Sequence, residues 1–195
     1  RKTIIDHLID KVLEVEAVEE IIVSINKRFA PDFEEWTKSK GCEKLKLNVE
    51  ETFREEEKMG AIRALWTLIE EYPANDYLIL AADNLFSLDL KHFVGFYKTV
   101  SKTVIALFDI GRLDIASRYA NVTLDSGGRV RKMVEKPREP YSSLISTGIY
   151  AIPRESAKRI REYLDEGNSP DAPGYFFGWL LNKEEIYGYI FEGYW

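Results

Sequence analysis

Cysteine is almost missing from this chain. Cys42 is the only one, which excludes an internal disulfide and fits a reducing compartment. Nowhere do about 18 apolar residues run together, and no signal-peptide pattern is present. The expectation is therefore no membrane partner, no export signal and a cytoplasmic protein. An excess of positive charge is also lacking: 27 Lys and Arg stand against 33 Asp and Glu, a net charge of −6. That argues against a nucleic-acid partner, which would need a basic face to displace counterions. Small phosphorylated ligands stay open, because one metal ion and one or two lysines can neutralise them locally. The short motifs of phosphate loops, dinucleotide folds and serine hydrolases do not occur.

What is present suits one soluble domain spanning 1–195. The 195 residues are 45% hydrophobic, 13% aromatic and 31% charged, enough to bury a full core. The chain opens on Arg1 rather than Met and enters a helix at once. It stops at Tyr194-Trp195 after an apolar, strand-like run. Neither end has the polar look of a natural terminus, so truncation at both ends is the expectation.

Thr3-Ile4-Ile5-Asp6 reads as a capping box opening an amphipathic helix. Ile21–Ile25 and Leu45–Val49 read as strands, with a helix between that Pro31 starts and Gly41 ends. Gly60 opens a third helix that Pro73 closes, and the charged run Arg54–Lys58 reads as its solvated start. Tyr77–Ala82 is apolar without alternation, which predicts a strand covered on both faces. A helix near Leu88–Lys98 precedes another such strand, Thr103–Phe108. Asp125-Ser126-Gly127-Gly128 then marks a hairpin between Asn121–Leu124 and Arg129–Val134. Ile149–Ile152 and Ile186–Phe191 read as further strands, with helices after Pro153 and over Ala172–Leu181. The fold class is α/β. Its first ~110 residues predict a doubly wound, mostly parallel sheet, and the second half an antiparallel elaboration.

Open α/β sheets bind ligands beyond the carboxyl ends of their strands. That singles out Asp83-Asn84, where a carboxylate could hold Mg²⁺ or the pair could simply make the turn. Glu135-Lys136 closes another strand: lysine suits a phosphate and glutamate can accept from two sugar hydroxyls, although such a pair is more often a solvated surface. Thr147-Gly148 lies within the next strand, where a glycine means a bulge or a close ligand. Gly60 offers free helix N–H groups to an anion or a base edge, or only serves its turn. His7, His92 and the four tryptophans read as structural.

Taken in order, Ile4-Ile5-Asp6-His7-Leu8, Gly60-Ala61-Ile62, Leu80-Ala81-Ala82-Asp83-Asn84, Tyr119–Val122, Val130–Pro137, Thr147-Gly148-Ile149-Tyr150 and Gly193-Tyr194-Trp195 resemble the sugar nucleotidyltransferases, the glucose-1-phosphate thymidylyltransferase-like group. The resemblance runs over nearly the whole chain. It implies a Rossmann-like fold and a Mg²⁺-dependent reaction of a nucleoside triphosphate with a sugar-1-phosphate that releases pyrophosphate and makes an NDP-sugar. By the same resemblance Asp83 binds Mg²⁺, Glu135 the sugar hydroxyls and Lys136 the sugar phosphate. Thr147-Gly148 lets the sugar approach the backbone, Asn84 accompanies Asp83, and Gly60 helps bind the base. Similar enzymes are usually dimers or tetramers, so a homo-oligomer falls within the expectation.

Three departures stand out. The family's N-terminal glycine-rich loop would precede Arg1, and its second metal-binding aspartate normally follows the tryptophan matching Trp195. Both imply that these 195 residues alone do not catalyse. The family's nucleotide-side glycine motif is altered around Lys58-Met59-Gly60-Ala61, and Ala120 stands where glycine is usual. Three competing readings are a phosphocholine-type cytidylyltransferase, a nucleotide-sugar glycosyltransferase and a non-catalytic regulatory domain. The second usually shows Asp-x-Asp, where Leu85 stands here.

Overall fold

Thr3 and Asp6 close a reciprocal cap at the start of α1 (Ile4–Leu13). The Asp6 amide donates to Thr3 Oγ1 at 3.3 Å and the Thr3 amide to Asp6 Oδ2 at 2.7 Å, satisfying two helix-end donors with one side-chain pair. The computed structural model describes residues 2–51 and 60–195; Arg54–Lys58 and Met59 lie outside the described residues. Asp6 has a second task. Its Oδ1 accepts from Trp36 Nε1 at 2.9 Å and pairs with the Lys40 ammonium, both from α2 (Ala30–Lys40). The Lys40 contact, then Trp36, hold the Asp6 carboxyl well below the ordinary carboxylate range.

A carboxylate stabilised this way contributes stability above the unfolded pKa of about 3.9 and loses it as the pH falls toward the lower folded value. Asp6→Asn should therefore lower the urea midpoint at pH 7. Wild type and variant should draw together as the pH falls below about 4. A gap that does not narrow would mean that the charge is not what ties α1 to α2.

Two sheets carry the fold. β1 (Ile21–Asn26) and β2 (Leu45–Glu50) pair in parallel as a two-stranded sheet. The second sheet has six strands: β3 (Asp76–Leu80), β4 (Thr103–Asp109), β5 (Asn121–Leu124), β6 (Val130–Val134), β7 (Leu144–Pro153) and β8 (Ile186–Ile190). Its order is β6-β5-β7-β4-β8, with β3 also on β7. β3, β4 and β5 all run antiparallel to β7, and β8 runs parallel to β4. Four strands thus share one direction, and the opposed pair, β6 and β7, comes from the second half, as the sequence predicts. The β5–β6 hairpin turns at Asp125–Gly128, where Asp125 Oδ1 accepts from the Gly127 and Arg129 amides.

The middle of the sheet is covered on both faces. Val104, Ala106, Ile149 and Ala151 face one core with α1, β1 and α4 (Leu90–Val100). Their alternates Ile105, Leu107, Tyr150 and Ile152 face a second core with α3 (Ala61–Glu71), α6 (Arg154–Asp165) and α7 (Pro173–Leu180). This is the α/β, Rossmann-like arrangement.

Three details differ from the sequence reading. The most buried strand is β4, whose first five residues are buried, whereas Tyr77–Leu80 are only half-buried. β3 has one paired edge among the described residues. β7 begins at Leu144 rather than near Ile149, because its small polar residues pair internally: Thr147 Oγ1 donates to the Ala106 carbonyl at 2.9 Å and Ser146 Oγ to Tyr150 Oη at 3.2 Å. A single-turn helix, α5 (Leu113–Ala116), carries no periodic signal and is read only from the structure.

Candidate active site

β7 has one edge bonded along most of its length to β4, while two strands share the other. β3 pairs with Ile149–Pro153, and β5 meets it at Ile145. Between them lies Ser146–Gly148, where one strand has ended and the next has just begun. The Gly148 carbonyl still accepts from the Ala81 amide at 3.0 Å, and the Ser146 amide donates to the Ala120 carbonyl at 2.9 Å. The result is a crevice at the carboxyl end of β3, the kind of place where open α/β sheets bind ligands.

Asp83-Asn84 forms one side. Asp83 is exposed in the turn after β3. Asn84 is tied down: its Nδ2 donates to the Thr147 carbonyl at 2.7 Å. Gly148 has φ 77°, and a Cβ there would meet Ala81 Cβ at 3.1 Å and Asn84 Nδ2 at 3.4 Å. A side chain at 148 would strain the backbone and crowd the turn that carries Asp83. Thr147 is buried with its hydroxyl committed to β4, so it offers the crevice its backbone rather than its side chain.

Glu135-Lys136 forms the other side, just past β6. The Lys136 amide donates to the Tyr119 carbonyl at 3.2 Å, and its backbone sits at φ 43°, left-handed for a residue that carries a Cβ and precedes a proline. The turn sends the two side chains apart: the Glu135 side chain is 8% exposed and that of Lys136 61%, with carboxylate and ammonium 4.0 Å apart. Burial raises the Glu135 pKa above the ordinary glutamate value, and the Lys136 charge opposes that rise. The carboxylate lies against Gly174.

The chain's last residues join the two sides. The Ser87 amide donates to the Tyr194 carbonyl at 2.9 Å, the Tyr194 amide donates to Ser87 Oγ at 3.0 Å, and Ser87 Oγ donates to the Glu192 carbonyl at 2.7 Å. The Trp195 ring then meets the Tyr119 ring edge-on at 5.1 Å. Ser87 lies four residues past Asp83, and Tyr119 holds Lys136, so one short segment touches both sides.

Gly60 lies apart from these contacts, at the start of α3. A Cβ there would fall 2.6 Å from the Pro170 carbonyl oxygen, which also accepts from the Ile62 amide at 2.8 Å. One helix N–H is thus already used, and the glycine is needed for that close approach. Sequence reasoning passed over Gly174. The signal available was a glycine in the first turn of an otherwise strongly apolar helix, where it costs about 1 kcal/mol relative to Ala.

For a cation the crevice offers Asp83. Among the described residues no group of three or more His, Cys, Asp or Glu side chains could hold a metal ion. One exposed carboxylate suits an ion that keeps most of its waters and shares phosphate oxygens, as Mg²⁺ does. No helix among the described residues is long and apolar enough to cross a membrane.

Comparison with known proteins places these features in context. The family described as nucleotidyl transferase matches residues 1–195. A glucose-1-phosphate adenylyltransferase of Clostridium acetobutylicum is 31% identical over 131 residues, 65% of this chain and 34% of that protein. One from Fervidobacterium nodosum is 30% identical over 134 residues, 65% of this chain and 31% of its own length. The match thus spans about a third of the length of these curated relatives. A Bacillus anthracis protein assigned as a glucose-1-phosphate thymidylyltransferase, crystallised with sucrose, superposes with a TM-score of 0.83 over 98% of this chain and 75% of that one. At 19% identity that likeness speaks for the fold alone.

Proposed function

Because this chain belongs to the nucleotidyl transferase family, we propose that the protein moves a nucleotidyl group from a nucleoside triphosphate to a sugar-1-phosphate, releasing pyrophosphate and making an NDP-sugar. The observation that carries this reading is the crevice at Ser146–Gly148, with Asp83 on one side and Glu135-Lys136 on the other. The reaction forms a bond between a sugar-phosphate oxygen and the α-phosphorus and breaks the bond to the β-phosphate. It asks the protein for positioning and charge neutralisation rather than covalent help.

The family generally uses a divalent metal. Bound at Asp83, Mg²⁺ would neutralise charge on the phosphates. The chain's own residues do the rest. Glu135 accepts from sugar hydroxyls, and Lys136, exposed, meets the sugar phosphate as a point charge. Gly148 lets the sugar lie against the backbone, with Thr147 and Asn84 holding that backbone in place. Gly60 and the Ala61 amide at the start of α3 would meet the nucleobase, the Ile62 amide being committed to the Pro170 carbonyl. A cytoplasmic location and a homo-oligomeric assembly belong to the same reading, supported by the single unpaired Cys42 and the habit of similar enzymes.

The test is pyrophosphate release by the protein with Mg²⁺, the common nucleoside triphosphates and glucose-, mannose-, galactose- and N-acetylglucosamine-1-phosphate. One pairing should turn over; no release from any would sink the proposal. In the active pairing Glu135→Gln should raise the sugar-phosphate KM by roughly 10- to 150-fold, the worth of a hydrogen bond to a charged group at about 1.5–3 kcal/mol. The triphosphate KM should stay where it was.

A further inference from the structure

α7 lies on β6 through two glycines one turn apart. A Cβ on Gly178 would sit 3.0 Å from the Met133 carbonyl oxygen. A Cβ on Gly174 would sit 1.8 Å from Glu135 Oε2, 3.0 Å from its Cδ and 2.9 Å from Ala120 Cβ. Gly174 is buried and lies inside a regular helix, with no left-handed backbone to demand a glycine. What the position requires is empty space, and the Glu135 carboxylate fills it.

That carboxylate is held in an unusual way. Its side chain is 8% exposed, yet no group among the described residues donates a hydrogen bond to it. Its neighbours are the bare first turn of α7 and, at 4.0 Å, the exposed Lys136 ammonium. The cap residue of α7, Ala172, makes no side-chain hydrogen bond, so the positive end of the helix is left facing an anion. Shape and field fix the group while its lone pairs stay free for a ligand.

We propose that Gly174 is a positioning residue: the missing side chain forms the seat that fixes the Glu135 carboxylate, and so sets which sugar hydroxyls it can accept from. This rests on the reading of Glu135 as the sugar-binding residue. Specificity on this basis is geometric, because a carboxylate seated without its own protein partners can reward only a hydroxyl pair that meets it where it lies.

The experiment is a cycle of Gly174→Ala and Glu135→Ala in the full-length protein, measured with the four sugar-1-phosphates named above. Alanine is the better helix former, and Oε2 is the far end of a flexible side chain, so the added methyl should push the carboxylate aside. The Ala120 Cβ, 2.9 Å from that methyl, must give slightly in both backgrounds, so its cost cancels in the cycle. Gly174→Ala is expected to raise the KM for the preferred sugar-1-phosphate about tenfold, leave the triphosphate KM unchanged and narrow the preference among the four sugars. In the Glu135→Ala background the same change should shift the sugar KM less than twofold. Equal losses in both backgrounds would mean general distortion and would overturn the proposal, as would a sugar KM unmoved by Gly174→Ala. If Glu135→Ala itself left the sugar KM unmoved, the sugar-binding role of Glu135 would fall instead. Glu135→Asp guards against a variant that does not fold: it draws the carboxylate back from the seat without touching the helix. A selective rise in sugar KM is expected, and an aspartate that serves as well as glutamate would refute the seat.

Discussion

Asp83→Asn is expected to lower kcat/KM for pyrophosphate release by about 100- to 1000-fold, as loss of several kcal/mol of charge stabilisation at the phosphates requires. The substitution keeps the side chain's shape and removes only its charge. Asp83 is exposed, and its turn is held by Asn84 donating to the Thr147 carbonyl, so the melting temperature should stay within about 2 °C. The Mg²⁺ concentration needed for half-maximal rate should rise as well. That separates a lost metal ligand from a displaced substrate. A variant within about threefold of wild type at saturating Mg²⁺ would remove Asp83 from the chemistry and leave it as a turn residue.

Phe176→Ala carries the largest expected cost in stability. The ring is fully buried in α7 and meets Tyr163 edge-on at 5.5 Å, Phe177 at 5.1 Å and Trp179 at 6.1 Å. Deleting such a ring costs about 3–5 kcal/mol in transfer and cavity terms together. For a domain of this size that is a fall of about 6–20 °C in melting temperature. Calorimetry and urea unfolding should agree on it, and a loss below about 1 kcal/mol would mean that the cluster repacks. Phe176 and Trp179 dock this helix on Tyr163 of α6, and the glycines let it approach β6. Partial loosening should therefore reach the Glu135 seat before the protein unfolds.

Much of the fold was legible because hydrophobic period and end signals agree in this chain. Thr3 with Asp6, Pro31 with Gly41 and Asp125–Gly128 each fix an element boundary through local chemistry, and the structure has a helix cap, a helix and a hairpin there. The start of β7 at Leu144 was not legible: Thr147-Gly148 reads as strand, but Ser146 looks like a loop residue until its hydroxyl partner, Tyr150 of the same strand, is known. The half-burial of β3 is a matter of which edges pair, which an apolar run does not encode. At the candidate site, strand ends pointed to Asp83-Asn84 and Glu135-Lys136. Their convergence depends on two strands sharing one edge of β7, a long-range fact. Gly174 is harder still to read: its meaning lies in a carboxylate nearly forty positions away in the chain.

The division of labour along β7 has a mechanical consequence. One edge is a ladder to β4 broken by a single irregularity, and it forms a stiff spine behind the crevice. On the other edge the β3 jaw carries Asp83 and the β5–β6 jaw carries Glu135-Lys136, and among the described residues no ladder joins the two jaws to each other. Their separation is set by the spine and by the Ser87–Trp195 clasp. Both jaws hang from that spine, so on the proposed reading a shift in the register of β7 would move Asp83 and Glu135-Lys136 relative to one another although neither lies in it.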